Sequence, residues 1–246
     1  MGLIDFLKPK RDQVTQTRSA LEAANDPAVD ENAGSQAVSK MVTMLLDLGL
    51  DGRGRFDSAT KIAEEARREK GSDKEAINAI ARSAMVRGGI GGFITGVGGF
   101  VTMPIALPAN VLEFYVQATR MVGAIATLRG YDVQDERIRT AVLLTLVGSK
   151  SEDVLKKAGM ATGGGRLATF ALRGMPPAAL MVANKAVGFN LMRGVGAKAL
   201  GKLGRGVPVA GGFVGAGIDA FMMKKIADHA MKEFPAISPG PLLPAS

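Results

Sequence analysis

An uncharged segment, Gly88–Leu112, constrains this chain more than any other feature of the sequence. It reads GGIGGFITGVGGFVTMPIALPANVL and is long enough for one helical crossing of a bilayer, which takes about 20 apolar residues. Pro104 and Pro108 would break that helix, because each removes a backbone hydrogen bond. Glycine recurs at every fourth position of the first half, at Gly88, Gly92 and Gly96. Such spacing lets helices approach closely, so we predict a buried helical contact and keep membrane insertion as an alternative.

A second uncharged segment, Val207–Ile218, offers a surface against which the first can pack. It reads VPVAGGFVGAGI, and Gly211 and Gly215 lie four residues apart within it. The segment is too short to span a bilayer, and like the first it runs directly into an amphipathic helix. We therefore predict that the two glycine-rich segments pack against each other as a glycine zipper.

The rest of the chain has the periodicity of amphipathic α-helices. Residues 111–129 form a predicted helix with a narrow polar stripe at Glu113, Gln117 and Arg120, and its apolar remainder should be mostly buried. The last helix has an apolar stripe that includes Met223 and Phe234. Strand-like alternation does not extend over a useful length. The sequence therefore predicts an all-α fold: a single helical domain with the two Gly-rich apolar segments packed at its centre.

Local signals place several helix ends. Ser72 and Glu75 have the spacing of a capping box, which starts a helix by satisfying its first free N–H groups. A helix is predicted over 135–147, since it begins with acidic residues and is followed by Gly148. Gly130-Tyr131-Asp132 is a predicted turn. We divide the chain into an N-terminal amphipathic segment and linker (1–34), a helical domain (35–236) and a disordered tail (237–246).

Charge is distributed unevenly along the chain. Residues 151–246 carry 12 basic and 5 acidic side chains, and no acid lies between Asp153 and Asp219. Such a field predicts an anionic partner. Nucleic acid is the less favoured partner, because binding it usually requires interleaved aromatic residues, and among the basic residues from Lys156 to Arg205 only Phe170 and Phe189 are aromatic. Lipid head groups need only positive charge beside apolar surface, which this stretch offers at Lys198, Lys202 and Arg205.

The first eleven residues, MGLIDFLKPKR, resemble a peripheral membrane anchor. A short apolar face is followed by basic residues, the pattern of a helix that lies in the interface of an anionic membrane. An ordinary terminal helix docked on the core is the alternative. The predicted membrane-binding residues of this segment are Leu3, Ile4, Phe6, Leu7, Lys8, Lys10 and Arg11.

Signatures of enzyme chemistry are missing from the sequence. One histidine and no cysteine exclude the usual zinc ligand sets within one chain, and the glycine-rich runs lack the context of a phosphate-binding loop. We predict a non-enzymatic protein without metal or cofactor, in which His229 is a solvated surface residue. Asp219 is the one carboxylate expected to face inward, either as a structural hydrogen-bond partner or as a proton-sensitive or ion-pairing group.

Three stretches together resemble the EcsC protein family. They are RGGIGGFITGVGGFVTMPIALP, the turn RGYD that follows the next helix, and GVPVAGGFVGAGIDAFMMKKIADHAMKEF. The resemblance covers about Ser35 to Phe234, and this sequence departs from the family pattern at Met103, Ala106 and Asp219. It implies a helical bacterial protein with a membrane-linked role near a transporter, and it names no substrate.

The sequence thus supports three hypotheses about function. The first is a non-enzymatic helical protein that binds an anionic membrane surface on the cytoplasmic, inner face of the cell membrane, as an accessory to a transporter. A soluble carrier of a lipid or other apolar ligand, held between the glycine-rich segments, is the second. The third is an integral or pore-forming protein that inserts those segments. The oligomeric state is left open.

Overall fold

The structure is a computed structural model that describes residues 31–53, 56–89, 109–157, 166–175, 177, 180–191 and 211–237. These residues contain helices and turns and no strand, so the predicted all-α fold is confirmed for them. Most of the first glycine-rich segment, including Gly92 and Gly96, lies outside the described residues. The predicted membrane-binding residues also lie outside them, both those between Leu3 and Arg11 and those of the basic stretch, Lys198, Lys202 and Arg205.

The helices are numbered here in chain order. They are α1 (Glu31–Gly49), α2 (Ala59–Glu69), α3 (Asp73–Gly89), α4 (Ala109–Leu128), α5 (Glu136–Leu146), a single 3-10 turn (Gly148–Lys150), α6 (Ser151–Lys157), α7 (Leu167–Leu172), α8 (180–191) and α9 (Gly211–Glu233). None of these described helices combines the length and apolarity required to cross a membrane.

Helix α4 forms the centre of the domain. It packs against α1, α2, α3, α5 and α9. Val122, Ala124 and Ile125 expose no surface at all. The prediction that the apolar circumference of this helix is buried is therefore confirmed. Because neighbouring helices surround α4, its polar stripe is buried as well, which the sequence pattern did not predict.

Three glycines bring helices into close contact. A Cβ on Gly123 of α4 would lie 2.3 Å from Leu50 Cδ2 and 2.8 Å from Ala59 Cβ. One on Gly49 would lie 2.6 Å from Thr119 Cβ, where α1 ends against α4. One on Gly188 of α8 would lie 2.5 Å from Cγ1 of Val38 in α1. All four distances are shorter than non-bonded carbon atoms allow, so only glycine fits at these three positions without a shift of its neighbours.

Helix α9 packs against α3 and α4 through its predicted apolar stripe. Met223, Ala230 and Phe234 on that stripe expose no surface, which confirms the inward face. The first glycine-rich segment begins in α3, which contains Gly88, and the second continues into α9, which contains Gly211 and Gly215. Helices α3 and α9 are neighbours. Contact between the glycine ladders themselves stays a prediction, because residues 90–108 lie outside the described part.

Local hydrogen bonds and turn glycines place helix starts and stops close to the predicted positions. Ser72 Oγ accepts from the Glu75 backbone N–H at 3.3 Å. Asp135 caps α5 by accepting from the Arg137 N–H at 2.8 Å. The φ angles of Gly130 and Gly148 are +91° and +60°, a region that favours glycine. These positions confirm the predicted turn before α5 and the stop after it.

The C-terminal end of the domain docks on that same turn. The rings of Tyr131 and Phe234 meet edge to face, with centroids 5.3 Å apart. Beyond α9, the Ile237 N–H donates to the Arg129 carbonyl oxygen at 2.9 Å. Two of the stretches that resemble the EcsC family, the turn and the last helix, are thus in contact. Ile237, the first residue of the predicted tail, belongs to this contact, whereas residues 238–246 lie outside the described part.

The contact at Gly123 leads to a stability prediction. Gly123→Val should lower the free energy of unfolding by about 1–3 kcal/mol, because the added atoms have no space between Leu50 and Ala59. Gly71→Ala is the matched control, since its Cβ would approach only the flexible Glu75 carboxylate, at 3.5 Å. Urea unfolding followed by circular dichroism measures both. Equal midpoints for the two variants would contradict a close helix contact at Gly123.

Candidate functional site

The described part of the acid-free stretch contains α7 and α8. Helix α8 rests on α1 at Gly188, and Ala183, Val187 and Leu191 are buried at a spacing of four residues. That spacing places them on one side of the helix. The opposite side carries Met181, Lys185 and Phe189 at the same spacing, with Val182 beside them.

This opposite side of α8, called the α8 face below, consists of Met181, Val182, Lys185 and Phe189. Met181 is 69% exposed, Val182 42% and Phe189 37%, and Lys185 is exposed as well. Large apolar side chains therefore share one helix face with a cation. No acidic residue lies in the sequence between Asp153 and Asp219, so α8 itself carries none. Apolar surface next to positive charge is what an anionic membrane interface binds.

A groove of about 660 Å³ opens between α1, the start of α5 and α8. This volume lies within the range of about 300–1,000 Å³ that is typical of small-molecule sites. Both apolar and polar side chains line it. They are Val38, Ser39, Val42, Thr43, Leu46, Glu136, Arg139, Pro177, Leu180, Met181, Val182, Asn184 and Lys185.

Arg139 is held in place in this groove by Asp51. Its two terminal nitrogens donate to the two carboxylate oxygens at 2.7 and 2.8 Å, and its side chain is 16% exposed. The hydrogen bonds from the guanidinium hold the pKa of Asp51 below its usual value, against an opposing effect of burial. The pair joins the loop after α1 to α5 and fixes the cationic group at the groove.

Asn184, one of the residues that line the groove, has an unsatisfied acceptor. Its side-chain oxygen Oδ1 is buried and accepts no hydrogen bond within the described residues. A buried polar atom of this kind ordinarily has a partner, from the protein, from water or from a ligand. Asn184 was not among the predicted site residues, because nothing in its sequence context distinguishes it from a surface asparagine.

A second polar cluster is buried in the core at α4. Glu113, Gln117 and Arg120 are 7%, 7% and 5% exposed. Arg120 Nη1 donates to Gln117 Oε1 at 3.4 Å, and the guanidinium lies 5.3 Å from the centre of the Phe56 ring. Beside them a smaller cleft of about 210 Å³ is rimmed by acids of α2, among them Glu65 and Glu69. The cation–π contact stabilises the buried Arg120 and joins α4 to the loop before α2.

His229 was predicted to be a solvated surface residue, and that prediction is wrong. Its side chain is only 22% exposed, and Nδ1 lies 3.7 Å from Glu233 Oε1. The other oxygen of Glu233 accepts from the Leu167 N–H at 2.8 Å, which joins α9 to the start of α7. Burial lowers the pKa of His229, while the charge of Glu233 raises it and that of Lys232 lowers it.

Asp219, the carboxylate that was expected to face inward, lies in α9 and is half-buried. Within the described residues, no group of three or more histidine or acidic side chains is arranged to hold a metal ion. The residues that the structure does bring together, at the α8 face and the groove, come from α1, α5 and α8.

Comparison with known proteins adds no identification. No protein-family model, no curated protein and no solved structure matches this chain. The resemblance to the EcsC family therefore stays a prediction from the sequence, and any function has to be argued from the chain itself.

The Asp51–Arg139 pair predicts a difference between two arginines. Arg139→Gln should lower the free energy of unfolding by about 1–3 kcal/mol, because it removes two charge-assisted bonds at a largely buried position. Arg53→Gln is the matched control: Arg53 also contacts an aspartate, Asp47, at 2.8 Å, but is 70% exposed and should contribute little. Denaturant unfolding at pH 7 compares them. Equal losses of unfolding free energy in the two variants would contradict a larger contribution of the Asp51–Arg139 pair.

The environment of His229 predicts a dependence of stability on pH. Because its folded pKa lies below the ordinary value of 6.5, the unfolded chain takes up the proton first. The contribution of the neutral ring is complete above pH 6.5 and is lost as the pH falls toward the folded pKa. His229→Gln should therefore flatten the change of melting temperature between pH 7 and 5. Parallel curves for the variant and the parent protein would contradict this.

Proposed function

We propose that this protein is a non-enzymatic helical protein that binds the surface of an anionic membrane peripherally. The observation that carries the proposal is the α8 face. Exposed Met181, Val182 and Phe189 lie beside Lys185 on a helix whose flanking sequence contains no acid.

Two forces favour this function. Apolar side chains of the α8 face leave water when they enter the interface, and each basic residue near an anionic leaflet contributes about 1 kcal/mol. Nine basic residues lie between Asp153 and Asp219, and they include Lys198, Lys202 and Arg205 outside the described part. The N-terminal segment with Lys8 and Lys10 would act as a second anchor on the same membrane.

The place of binding in the cell is also part of the proposal. An inner, cytoplasmic membrane face carries anionic lipids and attracts basic segments. The resemblance to the EcsC family adds a role beside a transporter, as an accessory protein. Both statements rest on sequence pattern and are proposals for this chain.

The groove favours a second candidate function, that of a soluble carrier of an apolar ligand. Its volume of about 660 Å³ and its apolar walls suit one lipid molecule. The sequence predicts such a ligand between the glycine-rich segments, whereas the groove lies between α1, α5 and α8. Insertion of residues 88–112 as an integral or pore-forming protein remains the third hypothesis, and alkaline carbonate extraction distinguishes it from peripheral binding.

Co-sedimentation with vesicles tests the proposal. The protein should bind vesicles of mixed phosphatidylglycerol and phosphatidylcholine, should bind phosphatidylcholine alone much more weakly, and should dissociate as salt is added. Lys185→Gln should weaken binding by about fivefold, the equivalent of about 1 kcal/mol. The double variant Met181→Ser with Phe189→Ser should weaken it further, because it removes the apolar side chains that enter the interface.

Val86→Ser is the matched control for these variants. Val86 is 62% exposed on α3, outside the acid-free stretch, so the change should leave vesicle binding unaltered. An equal loss for Val86→Ser and the α8 variants would contradict a specific role of the α8 face. Absence of binding at low salt would overturn the proposal, and resistance of the bound protein to alkaline carbonate would favour the inserted form.

A further inference from the structure

We propose that Met181 is an oxidation site, and that its conversion to the sulfoxide by a peroxide weakens membrane binding by the α8 face. Met181 is the most exposed of the three apolar residues of that face, at 69%. The modification itself depends on the exposure of the thioether. Its effect on binding deepens the proposed function and rests on it.

Met181 differs from the other methionines of the described part in its exposure to solvent. Those others are buried or partly buried: Met41, Met44, Met85, Met121, Met175, Met222, Met223 and Met231. A thioether reacts only when the oxidant reaches its sulfur, so susceptibility to oxidation follows exposure. Among the described methionines, a dissolved oxidant therefore reaches Met181 first.

The reaction transfers one oxygen atom from hydrogen peroxide to the sulfur of Met181. A lone pair on Sδ attacks one peroxide oxygen, the O–O bond breaks and an S–O bond forms. The sulfur is oxidised by two electrons, and the peroxide is reduced to water. The sequence contains no cysteine, whose thiolate would compete for the same oxidant. An accessible thioether is thus all that the protein has to supply.

Oxidation of Met181 changes both properties by which the α8 face would bind a membrane. The sulfoxide is polar, so the side chain loses its tendency to leave water for the interface. Its oxygen also accepts hydrogen bonds, and the exposed ammonium of Lys185 lies four residues away on the same side of the helix. A hydrogen bond between them would occupy the cation that is proposed to contact lipid head groups.

Oxidation of the full chain in buffer without lipid tests the site. The protein is treated with increasing hydrogen peroxide and digested, and tandem mass spectrometry quantifies the sulfoxide at each methionine. Met181 should be oxidised before Met175 and Met223, which are 5% and 0% exposed. In guanidinium the three rates should converge, because unfolding exposes every thioether. Equal rates at these three residues of the folded protein would overturn the inference.

Vesicle co-sedimentation tests the effect on binding. Oxidised protein should bind vesicles of phosphatidylglycerol and phosphatidylcholine about tenfold more weakly, the order expected when one apolar side chain no longer enters the interface. Treatment with methionine sulfoxide reductase and a dithiol, which supplies the two electrons, should restore binding.

Two variants of Met181 assign the effect to this residue. Met181→Leu keeps a similar apolar volume and has no sulfur, so it should bind like the parent protein and retain binding after peroxide treatment. Met181→Gln places a polar, uncharged side chain of similar length on the α8 face. It should bind weakly before any treatment, and peroxide should weaken it little further.

The outcomes separate this inference from the proposed function. Unchanged vesicle binding after complete oxidation of Met181 would overturn the effect on binding. An equal loss in Met181→Leu would do the same, because it would assign the loss to other methionines. Absence of vesicle binding by the untreated protein would overturn the proposed function, whereas the oxidation measured without lipid would still decide whether Met181 is the site.

Discussion

Enclosure of α4 by its neighbours is the constraint on which the rest of this structure depends. α1, α2, α3, α5 and α9 all contact this helix, so it has no face left for solvent. Small residues make this possible: Gly123 admits Leu50 and Ala59, and Gly49 receives Thr119. The same enclosure brings Arg120 into the core, where its guanidinium lies over an aromatic ring. A helix buried on all sides cannot keep a polar stripe in water.

The packing of α8 on α1 determines which side chains of α8 reach the surface. The contact at Gly188 fixes the rotation of α8 and buries Ala183, Val187 and Leu191. With those side chains inward, Met181, Lys185 and Phe189 necessarily point outward. The groove beside this contact joins the exposed apolar face to the polar groups at the start of α5.

Structural features that depend on nearby residues could be predicted from the sequence. Features that depend on contacts between distant helices could not. The capping bond at Ser72, the cap at Asp135 and the stop at Gly148 each depend on residues within a few positions. The environment of His229 depends on α9 meeting the start of α7, which no short stretch encodes. Asn184 became notable only because the fold buries its side-chain oxygen without a hydrogen-bond partner among the described residues. Glycines illustrate the same limit, since Gly49, Gly123 and Gly188 make the close contacts of the described part, and the predicted ladder did not include them.

The sequence by itself determined that this protein is all-α, where α3 begins, where α4 and α5 begin and end, and that positive charge accumulates after residue 153. These follow from periodicity, capping and composition, which act over one or two helical turns. Only the tertiary structure decided that Arg120 is buried and His229 largely so, which glycines touch another helix, and where a groove opens. Each of these depends on which faces of distant helices meet, and that choice minimises the free energy of the whole core at once.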